Sequence, residues 1–295
     1  MGTLSSNFTD RLYFLFFSIA SAGLLLRPGR VSCWMSWLFV NFLCLLALGL
    51  LVRTRQRSPA WEFLHDWYPL LMFIVCFEEV SHLSFLLWDA WQDHYLLRFE
   101  TWLFPAPPTV WMGRLGSPLV TELMELGYFS YFLLFLIVGG LLYWRGDKRA
   151  FRQLTDATVL SYLLCYAAFV LFPTEGPAYT VAPQHNFPLP GGGPFHWAVM
   201  LIQTHAGVHG NAFPSAHVAG AVVALIFAWR HDPKLGFGLT PLVILLCLGA
   251  VYDRYHYLSD VVAGVVVGVV PATWVMATGA GPHCVDGGGN TAASR

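Results

Sequence analysis

Residues 210–222 read GNAFPSAHVAGAV, and no Lys, Arg, Asp or Glu follows until Arg230. A Gly-Asn pair and a proline lead into a serine, a histidine and a long apolar run. This reads as a loop followed by a hydrophobic helix with a titratable ring at its entrance. An imidazole there calls for a partner. The stretch RYHYLSD, at 254–260, supplies one about forty residues later.

The surrounding composition settles the class. Of 295 residues, 56% are hydrophobic and 11% charged, whereas soluble domains carry about 25% charged residues. The apolar residues fall into runs, which indicates a multi-span membrane protein. A net charge of −1 offers no basic field for nucleic acid. There is no Walker loop and no dinucleotide-binding GxGxxG. Cys44, Cys76, Cys165 and Cys247 lie in apolar runs, and nothing links the remaining Cys33 and Cys284. No disulfide framework is expected.

Eight hydrophobic segments stand out, at roughly 12–26, 34–52, 67–87, 124–144, 155–172, 213–229, 236–252 and 260–277. Each is close to the ~20 residues that cross a ~30 Å hydrocarbon core as a helix. The first lacks the basic flank of a signal peptide and is expected to be retained as a span. Segment 89–115 mixes Trp, charge and proline and is expected to lie at the interface. The expected fold is therefore an all-α, multi-span helical bundle with an interfacial helical segment. Its divisions are N-terminal spans over 1–66, a membrane-embedded core over 67–277 and a disordered tail over 278–295.

Eleven of the sixteen Lys and Arg residues fall on one side of this topology, in Arg11, RTRQR, WRGDKRAFR, RHDPK and Arg295. By the positive-inside rule that side is cytoplasmic. The forty residues 173–212 contain no Lys or Arg. They face outward and are long enough to act as a lid.

In this topology the segments 213–229 and 236–252 bring His217 and His256 to the same outer end. Asp260 lies four residues beyond His256, the spacing that stacks side chains on one helical face. A carboxylate there fixes the imidazole tautomer and raises the basicity of its other nitrogen. Ser215 and Ala216 offer backbone N–H groups at a helix start. Arg254 adds a permanent fork-shaped charge. The set combines a nucleophile, a proton-transfer group and an anion cradle, which suits phosphoryl transfer from a lipid phosphate among membrane lipids. It calls for no metal or other cofactor.

FPSAH followed by HYLSD resembles the second and third signatures of the type 2 phosphatidic acid phosphatase superfamily. The HY variant, and LFPTEGPAY at 171–179, look closest to the inositol phosphorylceramide synthase-like branch. The resemblance implies a six-helix phosphatase-like core. It also implies that His256 attacks phosphorus, Asp260 orients it, His217 protonates the leaving oxygen and Ser215 helps to bind phosphate. The chain departs from the family pattern in two places. The lysine-containing first signature is absent, and Ala250 stands where an arginine is usual.

Other polar residues admit two readings. His205 and His209 have i,i+4 spacing that suits zinc, but no third ligand is near, so a loop or lining role is expected. His185 and His196 carry no signal. Glu78, Glu79 and His82 lie within a span, as structural hydrogen-bonding groups or, with Glu122 and Glu125, as contacts to a polyhydroxylated head group. Three functions stay open: a lipid phosphate phosphatase, a head-group transferase to a lipid acceptor, and a non-catalytic lipid transporter.

Overall fold

Small polar residues and prolines set where the helices start. Ser58, Ser117, Asp147, Ser215 and Asp232 each accept a backbone N–H from three residues downstream. These are N-cap hydrogen bonds, and a proline follows directly at Pro59, Pro118 and Pro233, where a missing N–H costs nothing.

The computed structural model describes residues 7–185 and 187–279. The long helices are α1 (Phe8–Leu26), α2 (Trp34–Thr54) and α3 (Pro59–Leu83). Two short helices follow, α4 (Asp93–Leu103) and α5 (Pro108–Gly113), over the segment expected at the interface. Then come α6 (Pro118–Trp144), α7 (Lys148–Leu171), α8 (Pro177–Thr180), α9 (Pro194–Ala206), α10 (Ala216–His231), α11 (Pro233–Tyr252) and α12 (Leu258–Thr278). Six of these, α1, α2, α6, α7, α11 and α12, are long and apolar enough to cross a membrane. Each of the eight hydrophobic segments is mainly helical, although α3 stops at Leu83 and α10 starts at Ala216, and the fold of the described residues is all-α as expected.

Hydropathy places three starts too late. α3, α6 and α7 begin six to eight residues before their apolar segments, because charge interrupts their first two turns at Glu62 and Asp66, at Glu122, and at Lys148, Arg149 and Arg152. The segment 173–212, expected to be long enough for a lid, contains α8 and the 13-residue α9. The expected tail lies outside the described residues beyond 279.

α10 is the centre of the bundle. Val218, Ala219, Ala221, Val223, Ala224 and Phe227 are fully buried. They contribute to cores shared with α6, α7, α11 and α12 on one side and with α1, α2 and α3 on the other. A helix apolar all round belongs inside other helices. That shielding lets α10 be only 16 residues long.

At the end carrying most of the basic residues, polar side chains tie α1 to the core. Asp10 accepts from Tyr68 (2.8 Å) and lies beside His65, while Thr9 donates to Asp156 (2.6 Å). Lys148 reaches Asp66 at 3.2 Å.

α6 and α11 pack so closely that side chains are excluded at their crossing. A Cβ on Gly127 would fall 2.5 Å from the Leu245 backbone, and one on Gly249 would fall 2.6 Å from the Met124 carbonyl. Gly140, also in α6, has open space around it. Gly140→Ala should therefore stabilise by up to about 1 kcal/mol. Gly127→Ala should destabilise by about 1–3 kcal/mol through overpacking. Thermal unfolding in detergent measures both, and equal effects would contradict the close crossing.

Candidate active site

α10 starts and α11 ends at the same end of the bundle, which brings two histidines together. The rings of His217 and His256 lie 5.9 Å apart between centroids, at 59°. His256 follows α11 in the turn before α12, and its backbone N–H donates to the Ala250 carbonyl (2.9 Å). Ala250 is fully buried beneath it.

His256 is buried, and its Nδ1 faces the carbonyl of Ala212 at 2.9 Å. A carbonyl can only accept, so Nδ1 carries the hydrogen and Nε2 the lone pair. Asp260 Oδ2 stands 3.4 Å from the same Nδ1 and also accepts the Tyr257 N–H at 2.8 Å. Asp260 is fully buried, at the first turn of α12. Its own carbonyl accepts the Ser215 N–H (3.0 Å), joining the starts of α10 and α12.

The loop that presents Ala212 is itself held. Thr174 accepts the Phe213 N–H through Oγ1 (2.8 Å) and the Ala212 N–H through its carbonyl (3.3 Å). Asp93 of α4 accepts the N–H groups of Glu175 and Gly176 (2.7 and 2.8 Å) and the Tyr257 hydroxyl (3.2 Å). Gly176 has φ +103, a conformation that favours glycine, and packs against Ala212 and the Tyr255 carbonyl. His209 bonds Glu175 at 2.7 Å and lies over Tyr179. Residues 171–177 are thus the brace behind His256. Asp93, Thr174 and Ala212 escape a sequence reading because their partners lie tens of residues away.

His217 is enclosed by aromatic rings, with Tyr131 at 4.5 Å and Tyr128 at 5.1 Å between centroids. The Tyr128 hydroxyl is 3.3 Å from His217 Nε2. Ser215 is fully buried, and its Oγ caps α10 by accepting the Val218 N–H (3.3 Å). The N–H groups of Ala216 and His217 open that helix and have no acceptor within it.

The other residues singled out in the sequence have separate surroundings. Arg254, at φ +68, donates to the Phe187 carbonyl (2.8 Å) and lies over the Phe187 ring. Burial lowers its pKa, and burial with the nearby Arg254 charge takes His185 down to about 4. Glu122 accepts the N–H groups of Phe195 and His196 (3.1 and 3.2 Å), anchoring the start of α9 to α6. Glu125 lies 3.4 Å from His196 Nδ1. Glu79 is fully buried and accepts from Asn41 of α2 (2.8 Å). His205 bonds back to Leu201, and no group of three or more His, Cys, Asp or Glu among the described residues is arranged to hold a metal.

Asp253 is buried, and neither of its carboxylate oxygens has a hydrogen-bond partner. Burial and the neighbouring Glu125 push its pKa well above 3.8, against the opposing charge of Arg254.

Comparison with known proteins places this geometry in a family. The family model described as PAP2 superfamily matches residues 94–274, from the first turn of α4 into α12. The chain belongs to the PAP2 superfamily. This PAP2 member is also similar to a PA-phosphatase related-family protein of Dictyostelium discoideum, with 24% identity over 181 residues. That alignment covers 54% of this chain and 32% of the Dictyostelium protein, so the match spans about a third of the relative. No solved structure matches. Within this PAP2 member, the matched region contains both histidines, Asp260 and the 171–177 brace.

Two outcomes test the site's construction. Thr174→Val leaves the buried Phe213 N–H without its side-chain acceptor and should cost about 1–3 kcal/mol in thermal unfolding. For Asp253 the folded-state pKa lies above the unfolded one. Its contribution to stability is therefore full below about 3.8 and falls as pH rises through the folded value. Asp253→Asn should flatten that decline and raise the Tm at pH 8 relative to the parent. An unchanged pH slope would contradict the buried, unpartnered carboxyl.

Proposed function

We propose that this protein is a membrane-embedded lipid phosphate phosphatase or phosphotransferase acting through a phosphohistidine on His256. The observation that carries the reading is the hydrogen held on His256 Nδ1 by the Ala212 carbonyl, with Asp260 behind it. Nε2 is left as a lone-pair nucleophile beside a second imidazole. Nε2 attacks phosphorus, the bond to the leaving oxygen breaks, and protonated His217 gives that oxygen a proton. Water then takes the phosphoryl group from His256, with His217 accepting the proton. Asp260 compensates the positive charge on His256 as the bond forms. The open N–H groups at the start of α10 suit the phosphoryl oxygens. The excess of basic residues at the opposite end supports an extracytoplasmic position for the reacting end. Candidate substrates are phosphatidic acid and isoprenoid (pyro)phosphates.

Transfer to an alcohol, as in the inositol phosphorylceramide synthase-like branch, is the second reading. It is favoured by α9, which flanks the pair, and by the unpartnered oxygens of Glu125 and Asp253 beside Tyr128 and Tyr255. Such acids suit a hydroxyl-bearing head group or acceptor, whereas water needs no pocket of its own.

A panel of lipid phosphates, scored for both released phosphate and new lipid product, separates the two readings. His256→Ala should lose turnover by roughly a thousandfold or more. Acid-labile phosphoenzyme should form in the parent and be absent from the variant. Activity should survive EDTA, since both reacting groups belong to the chain. A His256→Ala protein that keeps its turnover, or keeps lipid-dependent flux without turnover in the parent, would overturn the enzyme reading.

A further inference from the structure

Asp260 orients His256, but among the described residues no carboxylate pairs with His217. The contact that does is a phenol from α6. Tyr128 is buried, its ring packs against His217 at 5.1 Å, and its hydroxyl is 3.3 Å from Nε2. The side chain of Gln203, in α9, lies near the same phenol. The neighbouring Tyr131 also packs on His217, yet its hydroxyl is engaged with Tyr162 (2.8 Å).

We infer that Tyr128 is the positioning residue of His217, and that its hydroxyl reserves Nε2 and leaves Nδ1 as the nitrogen that exchanges protons with the substrate. This rests on the phosphoryl-transfer reading above. When His217 is protonated, its Nε2–H donates to the phenol oxygen and its Nδ1–H faces the leaving group. As the phosphorus–oxygen bond breaks, the leaving oxygen takes the Nδ1 proton. His217 is then neutral with its hydrogen on Nε2, still held by Tyr128. Its Nδ1 lone pair takes a proton from the water or alcohol that attacks the phosphohistidine, which restores the starting state. The two histidines are therefore held through opposite nitrogens, His256 through Nδ1 and His217 through Nε2. Both free nitrogens are left for the reacting phosphate.

A phenol oxygen that accepts from the imidazolium stabilises its charged form relative to the same ring without that acceptor. Tyr128→Phe keeps the ring packing and removes the acceptor. In the full chain in detergent micelles, with phosphatidic acid as substrate, kcat should fall about tenfold, with KM within about twofold. The alkaline limb of the kcat profile should move to lower pH. Tyr131→Phe should leave that limb in place. Ring nitrogen shifts of 15N-histidine-labelled protein give a readout without turnover, the His217 signals being assigned by their loss in His217→Gln. In Tyr128→Phe the His217 titration should move to lower pH, and the neutral Nε2–H preference should weaken.

An unmoved titration and an unmoved alkaline limb in Tyr128→Phe would overturn the inference, even if kcat falls. If His256→Ala retains activity, the phosphohistidine reading fails, and the nitrogen shifts still decide whether Tyr128 holds Nε2.

Discussion

The arrangement depends on one acceptor, the carbonyl of Ala212 at 2.9 Å from His256 Nδ1. An amide oxygen has no hydrogen to give, so this contact, with the Asp260 carboxylate at 3.4 Å from the same nitrogen, puts the hydrogen of the neutral ring on Nδ1. Such control requires the carbonyl to stay fixed, and much of the surrounding polar structure fixes it. Thr174 holds the backbone on either side of that carbonyl, Asp93 holds the 174–176 turn, and Tyr257 links Asp93 to the start of α12. The short helix α4, far away in sequence, is thereby part of what orients the ring.

The separation between fold and site is visible in how the chain uses its polar residues. At the end rich in basic residues, Asp10, His65, Tyr68, Asp66 and Lys148 fasten α1, α3 and α7 to one another. At the other end, buried polar groups bind loops to helix starts. Both sets satisfy buried groups, as the low-dielectric interior demands. Only the second converges on a pair of imidazoles.

Hydrophobic runs revealed the helices, and charge counting revealed which helix ends lie together, so the meeting of His217 and His256 was legible before any coordinates. Helix starts were less legible, because Glu122 near the start of α6 and Lys148, Arg149 and Arg152 at the start of α7 interrupt the hydropathy signal. α9 was missed for a related reason. Its flanking FPLPGGGPF reads as irregular chain, and its start is capped by Glu122 on another helix. Local sequence carries no trace of such a cap. Nor does local sequence show that Arg254, singled out for its fork-shaped charge, donates to the Phe187 carbonyl. Tyr128 carries no signal of its own in the sequence, and the packing of α6 on α10 is what brings it to His217.

The shortness of α10 also governs where its first turn meets the longer helices. Its 16 residues rise about 24 Å, some 6 Å less than a hydrocarbon layer of about 30 Å. Tyr128, which meets His217, lies ten residues along α6 from Pro118, or about 15 Å below that helix's upper end. The His217 ring therefore stands in the first turn of α10 yet lies level with the middle third of α6, so the start of a short helix is set against the inside of a long one.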